Sequence, residues 1–125
     1  MIHHASLGVN DLDRARAFYD AVLPEVGLRF IKQSERIVGY GLTDVMFSLE
    51  KPCDGGKATA GNGTHIAFRA GTRKVVDSCH KKGIAAGGQC AGPPGVRAQY
   101  DDHYYAAFLT DPDGNKIEFV TFAAD

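Results

Sequence analysis

Three side chains in this sequence have the types and setting to hold a metal ion: His4, His65 and Glu118. Each falls on the polar side of a stretch in which apolar and polar residues alternate, the pattern of a half-buried strand. In Ile2 to Val9, Ala5, Leu7 and Val9 share one face while His4, Ser6 and Gly8 share the other. In Thr64 to Arg69, Ile66 and Phe68 oppose His65, Ala67 and Arg69; near the C-terminus, Ile117 and Phe119 oppose Lys116, Glu118 and Val120. Two imidazoles and a carboxylate gathered from three strands form a 2-His-1-carboxylate set, suited to a divalent first-row ion with open positions. A carboxylate buried without a partner is costly, so Glu118 requires a cation, a donor or a metal. Arg69 and Arg97 could equally pair with it, and a strand histidine by itself is more often simply hydrogen-bonded. On pattern alone the two readings are level.

The elements that must position these groups come twice. After the first strand, Asn10-Asp11 offers an N-cap, and Leu12, Ala15, Phe18, Tyr19 and Val22 follow at helical spacing up to Pro24 and Gly27. Leu28 to Lys32, Arg36 to Gly41 and Val45 to Leu49 read as three shorter strands. A Gly-rich linker without periodicity follows. The second pass begins at His65. Gly71-Thr72 caps a helix carrying Val75, Val76 and Cys79, which the sequence closes at Lys81-Lys82-Gly83 with a basic turn and a C′ glycine. Gly87 to Gly95 reads as a mobile flap or a plain turn; no Gly-Lys-Ser/Thr follows it, so it is no phosphate loop. Tyr104 to Thr110 and the closing strand complete the pass. The turn Asp111-Pro112-Asp113-Gly114 leads into that last strand, with Gly114 supplying a positive φ. An internal repeat of about 60 residues, too degenerate for a solenoid, denotes two copies of one supersecondary unit. It makes His4 and His65 equivalent positions and tips the balance towards a metal site. The expected fold is α+β: a single domain over 1–125, with a βαβββ module over about 1–50, a linker over about 51–62 and a second module over about 63–122.

Composition excludes several classes. At 125 residues, 44% hydrophobic and a formal charge of −1, the chain suits one globular domain with a real core. There is no basic excess for nucleic acid or an anionic membrane, and no apolar run of membrane-spanning length. Cys53, Cys79 and Cys90 are odd in number and fit no metal or redox spacing, and Met-Ile-His-His lacks the order of a secretory signal. A reducing, cytoplasmic setting is the simplest expectation.

The order His4-x-x-Leu7-x-Val9, Asp11-Leu12 to Phe18-Tyr19, Gly63-Thr64-His65-Ile66-Ala67-Phe68 and Asp111-Pro112-Asp113-Gly114-Asn115-Lys116-Ile117-Glu118 resembles the glyoxalase/bleomycin-resistance/extradiol-dioxygenase superfamily, the vicinal oxygen chelate proteins. The likeness spans essentially the whole chain, and the final D-P-D-G-x-x-I-E segment is its most specific part. It implies a cupped mixed sheet with helices on the convex side and one divalent ion (zinc, nickel, manganese or iron(II)) on the concave face. By position, the ligands it implies are His4, His65 and Glu118. It also implies a small-molecule substrate with adjacent oxygens, and a homodimer in which the histidines can come from different chains. The chemistry would be that of a lyase, isomerase, dioxygenase or thiol transferase. The alternative is a metal-free, drug-sequestering protein of the bleomycin-resistance type. Glyoxalase I-like members carry a fourth ligand where this chain has Ser48, which argues against lactoylglutathione-lyase activity. Glu50 shares that face two residues on, about 6–7 Å further along the strand.

With Glu118 a ligand, a base must come from elsewhere; Tyr100, Tyr104 and Glu50 are the candidates. Arg97, Tyr100, Tyr104 and Tyr105 form a cluster that could clamp an anionic or aromatic substrate, with Arg69 nearby on its strand; packing of the sheet edge explains the tyrosines equally well. Tyr40 reads as packing. His3 is expected to point away from His4, and His80 and His103 to be solvated.

Overall fold

The computed structural model describes residues 1–125 and runs the same element order twice. The first pass is β1 (Ala5–Gly8), α1 (Leu12–Val22), β2 (Arg29–Gln33), β3 (Ile37–Gly41) and β4 (Val45–Glu50). The second is β5 (His65–Arg69), α2 (Arg73–Ala85), β6 (Gln89–Val96), β7 (Tyr105–Thr110) and β8 (Lys116–Thr121). Each pass closes its own four-stranded mixed sheet, ordered β1-β4-β3-β2 and β5-β8-β7-β6. The first strand of each lies parallel to the last, and the other pairs are antiparallel. The expected α+β arrangement of two βαβββ modules is therefore what the chain adopts.

Both helices start on side-chain caps. Asp11 accepts from the Arg14 amide at 3.1 Å, and Thr72 from the Val75 amide at 3.2 Å. After Val22 the chain tightens into a 3-10 turn, Leu23–Val26, with Pro24 in its first turn, and Gly27 ends it at φ 87°. The apolar faces of both sheets and both helices join in one core of 20 buried residues. Phe47 of β4 meets Phe68 of β5 edge-to-face at 5.1 Å, so the core crosses from one module to the other. Tyr40 is part of it, with its hydroxyl on Asp20 at 2.8 Å.

Two elements differ from the sequence expectation. The second helix does not stop at Gly83; it continues to Ala85, and Gly87, at φ 104°, takes the left-handed position. Gly83 is buried where α2 crosses α1, and a Cβ there would lie 2.5 Å from Leu109 Cδ1 and 3.5 Å from both Phe18 and Val22. Gly83→Ala should therefore lower stability by about 1–3 kcal/mol through overpacking. A glycine free in a helix would respond with the opposite sign, gaining roughly 0.5–1 kcal/mol. Urea unfolding of the two proteins reads that sign directly.

The stretch Gly87 to Gly95 is neither flap nor turn: most of it is β6, an edge strand paired to β7 with register shifts around Gly92. An edge strand needs only one ladder, so Pro93 and Pro94 are tolerated at the irregularity. Arg97 to Tyr100, by contrast, is a turn, closed by the Tyr100 amide on the Arg97 carbonyl at 2.9 Å.

The linker is tied down as well. Asn10 exchanges hydrogen bonds with the Ala58 amide (2.8 Å) and carbonyl (3.2 Å), and Ala58 is buried. No helix is long and apolar enough to cross a membrane.

Candidate functional site

β5 and β8 build the better-formed part of the site. Their parallel register sets Ala67 opposite Glu118 and His65 opposite Lys116, so strand alternation turns His65 and Glu118 to the face away from the core. Glu118 is only 2% exposed, and both of its carboxylate oxygens are engaged. His65 Nε2 lies 3.1 Å from Oε1, and the Tyr104 hydroxyl donates to Oε2. Burial, then the hydrogen bond to Glu118, push the Tyr104 phenol up to about 12, so at neutral pH it holds its proton and acts as a donor.

These three residues border a cavity of ≈ 620 Å³ that also takes in Arg97, Phe108 and Lys116. Arg97 is held from below: its guanidinium donates to the carbonyls of Gly95 (2.9 Å) and Pro93 (2.7 Å). Arg97 and Lys116 both lie over the Phe108 ring, at 5.5 and 5.1 Å from its centroid. The cavity thus has an aromatic surface with two cations around it. Tyr100 sits at its edge, 65% exposed, in T-shaped contact with Tyr104 at 5.1 Å.

The first module presents the matching surface. Ser6 faces Ser48 in the β1–β4 register as Ala67 faces Glu118 in the second module, so Ser48 occupies the position equivalent to Glu118. The Ser48 hydroxyl donates to Glu50 Oε2 at 2.9 Å; Glu50 has folded back towards the position two residues before it. His4, Ser48 and Glu50 border a second, separate cavity of ≈ 390 Å³.

One chain therefore brings His65 and Glu118 together and holds His4 elsewhere. No group of three or more His, Cys, Asp or Glu side chains is placed to share an ion within the chain. The half-site at His65 and Glu118 nonetheless fits a first-row divalent ion. Two donors bound to one ion at about 2.1 Å stand roughly 3.0–3.4 Å apart for angles of 90–109°, and these two are 3.1 Å apart. Tyr104 on the far carboxylate oxygen is the kind of outer partner that orients a ligand.

The other sequence candidates divide. Tyr105, adjacent to Tyr104 on an extended strand, points to the opposite face, where its hydroxyl meets Asp77 of α2 at 2.6 Å and Arg73 lies over its ring. It takes no part in the cavity. Arg69 shares the face of His65 but lies at the far end of β5, outside the cavity lining. His3 does not point away from His4: their rings meet at 88°, with Nδ1 atoms 2.9 Å apart, because both precede β1 and strand alternation does not yet apply. His80 is not freely solvated but half-buried beside Cys90. Sequence reasoning missed Lys116 and Phe108 as cavity residues. Their alternation with Ile117 and Leu109 was the available signal.

The motif judged most specific works mainly as a clasp between the modules. The buried Asp111 accepts from the amides of Asp113 and Asn115 (both 2.9 Å), from Asn115 Nδ2 (3.0 Å) and from the Tyr19 hydroxyl of α1 (2.7 Å). Asn115 Nδ2 also donates to the Gly8 carbonyl of β1 at 2.9 Å, and Asp113 accepts from Asn10 and Arg14. Burial, then the Asp111 charge, raise the Tyr19 phenol well above its ordinary value, so it remains a donor.

Residues 1–119 match the model of the Glyoxalase/Bleomycin resistance protein/Dioxygenase superfamily, and the chain belongs to that superfamily. Among solved structures it is similar to a glyoxalase/bleomycin resistance protein from Albidiferax ferrireducens T118, with 38% identity over 94% of this chain and 95% of that one, at TM-score 0.87. A glyoxalase/bleomycin resistance protein/dioxygenase family enzyme from Burkholderia phytofirmans PsJN shares the fold at 21% identity, covering 98% of each chain at TM-score 0.76. So does the fosfomycin resistance protein FosX from Mesorhizobium loti, at 19% identity over 97% of this chain and 91% of that one, with TM-score 0.69. No curated protein matches the chain.

Proposed function

We propose that this protein is a divalent-metal-dependent enzyme acting on a small anionic substrate with adjacent oxygens, and that its site is completed across a homodimer. The observation that carries the reading is the His65–Glu118 pair, spaced for one ion and braced by Tyr104. His65 and Glu118 of one subunit and His4 of the other would hold the ion, with Ser48 and Glu50 beside His4. Bound there, it would act as a Lewis acid on the paired oxygens of the substrate. Arg97 and Lys116 attract and orient the anion, and Phe108 gives it an apolar surface. Tyr104 keeps its proton on the hydroxyl and fixes the Glu118 carboxylate; as a base it is poorly suited at neutral pH. Glu50, a carboxylate already drawn towards Ser48, is the better base candidate.

Two features support the dimer. β1 and β5, the strands that follow or begin with the histidines, are free edges of their sheets, and uncovered edges invite pairing. Large apolar side chains also flank both half-sites in the open: Met46, two residues before Ser48, is 45% exposed, and Phe122, packed on Tyr104 at 5.3 Å, is 51% exposed. A second copy related by a twofold axis would cover them.

Protein purified without chelators should contain close to one divalent ion per chain, and His65→Ala should lose it. Elemental analysis of both proteins decides. One observation favours a metal-free binding protein instead: Glu118 already has a protein partner on each oxygen, so its burial is satisfied without a cation. An ion-free wild type that also fails to take up added zinc, nickel, manganese or iron(II) would establish that second reading.

A further inference from the structure

Cys90 and His80 form a pair that the cavity does not use. Cys90 lies on β6, where its register partner is the buried Leu109; residues directly opposite share a face, so Cys90 is on the helix side of the sheet, away from Glu118. It is exposed, and its Sγ stands 3.2 Å from Nε2 of His80 on α2. Burial holds the His80 imidazole below its ordinary value, with Asp77 acting the other way, so the ring is neutral at neutral pH and can accept a proton. The other two cysteines provide contrast within the same molecule. Cys79 is buried, and burial pushes its thiol up to about 12. Cys53 is exposed and lies with Arg36 and Lys51, with no imidazole beside it.

An unassisted thiol is only a few per cent thiolate at pH 7, and the thiolate is the nucleophile. A neutral imidazole within hydrogen-bond distance relieves that limit by taking the proton as the sulfur attacks. We propose that the Cys90–His80 pair is a site of covalent thiol modification, separate from the cavity, with small disulfides as its substrate class. In the step, His80 Nε2 takes the Cys90 proton and Sγ attacks one sulfur of the disulfide. The S–S bond breaks, and the departing thiolate takes the proton back from His80. One thiol and one disulfide become one mixed disulfide and one thiol, so no further oxidant is required.

The test uses the whole wild-type protein and bis(2-hydroxyethyl) disulfide, a neutral probe that the cations near Cys53 do not draw in. Peptide mass spectrometry follows each cysteine over time at pH 7. Cys90 should form the mixed disulfide roughly tenfold faster in the native protein than in the urea-unfolded one, Cys79 should stay unmodified in the native protein, and His80→Asn should bring native Cys90 down to the unfolded rate. A Cys90 no faster in the native than in the unfolded wild type would overturn the proposal, a comparison that does not depend on the variant folding. A Cys90 rate unchanged by His80→Asn in a folded variant would overturn it too.

Discussion

Mixing His4→Ala subunits with Glu118→Ala subunits should restore metal to about a quarter of the sites, although neither variant binds it alone. Under the shared-site reading, each ion draws His4 from one subunit and His65 with Glu118 from the other. Both parental homodimers are then defective at every site. In a mixed dimer, one site combines two damaged halves, while the other combines the intact His4 of the Glu118→Ala chain with the intact His65 and Glu118 of its partner. Random association makes about half the dimers mixed, and half their sites sound. The reason to expect this is geometric: within one chain His4 lines a different cavity from His65 and Glu118. The two variants are unfolded together, refolded, stripped and reloaded, and the bound ion is counted against the unmixed controls. If the mixture holds no more metal than the controls, the ligands are not shared between subunits. A fully loaded His4→Ala protein would show instead that His65 and Glu118 suffice without His4.

Asp111→Ala should cost roughly 3 kcal/mol or more, a large part of the 5–15 kcal/mol typical of a whole domain. The carboxylate takes four hydrogen bonds from buried or half-buried donors on α1 and the turn before β8. Removing it strands those donors, and a buried donor left without an acceptor costs about 1–3 kcal/mol. Tyr19→Phe, which deletes a single donor, should cost about 1 kcal/mol. Urea unfolding of the three proteins gives the comparison. An Asp111→Ala cost near that of Tyr19→Phe would mean the turn is held by its backbone and not by this side chain. The Asn115 bond to Gly8 places β1 against the second module, so loosening the clasp should also disturb the placement of His4 relative to β8.

What the sequence determined by itself was whatever depends on local periodicity. Alternation along single strands decided that His65 and Glu118 each stand on the polar face, as the β5–β8 register has them, and the family likeness singled out Ser48, which the β1–β4 register makes the counterpart of Glu118. Cap residues and the Asp-Pro-Asp-Gly turn were legible for the same reason, since each acts within a few residues. Grouping Tyr105 with Tyr104 by closeness in sequence set that rule aside, and alternation splits the two between opposite faces of the strand. Tertiary structure alone decided the rest. Whether Gly83 ends a helix or admits a neighbouring one depends on Phe18, Val22 and Leu109, all of them distant in sequence. Whether Gly87 to Gly95 is a loop or a strand depends on an edge of β7 to pair with. That His4 and His65 fall in separate cavities follows from both helix-side faces sharing one core, an arrangement set by long-range contacts such as Phe47 with Phe68 and Tyr19 with Asp111. Periodicity records which way a side chain points from its own backbone; where two such backbones come to lie is decided by the packing between them.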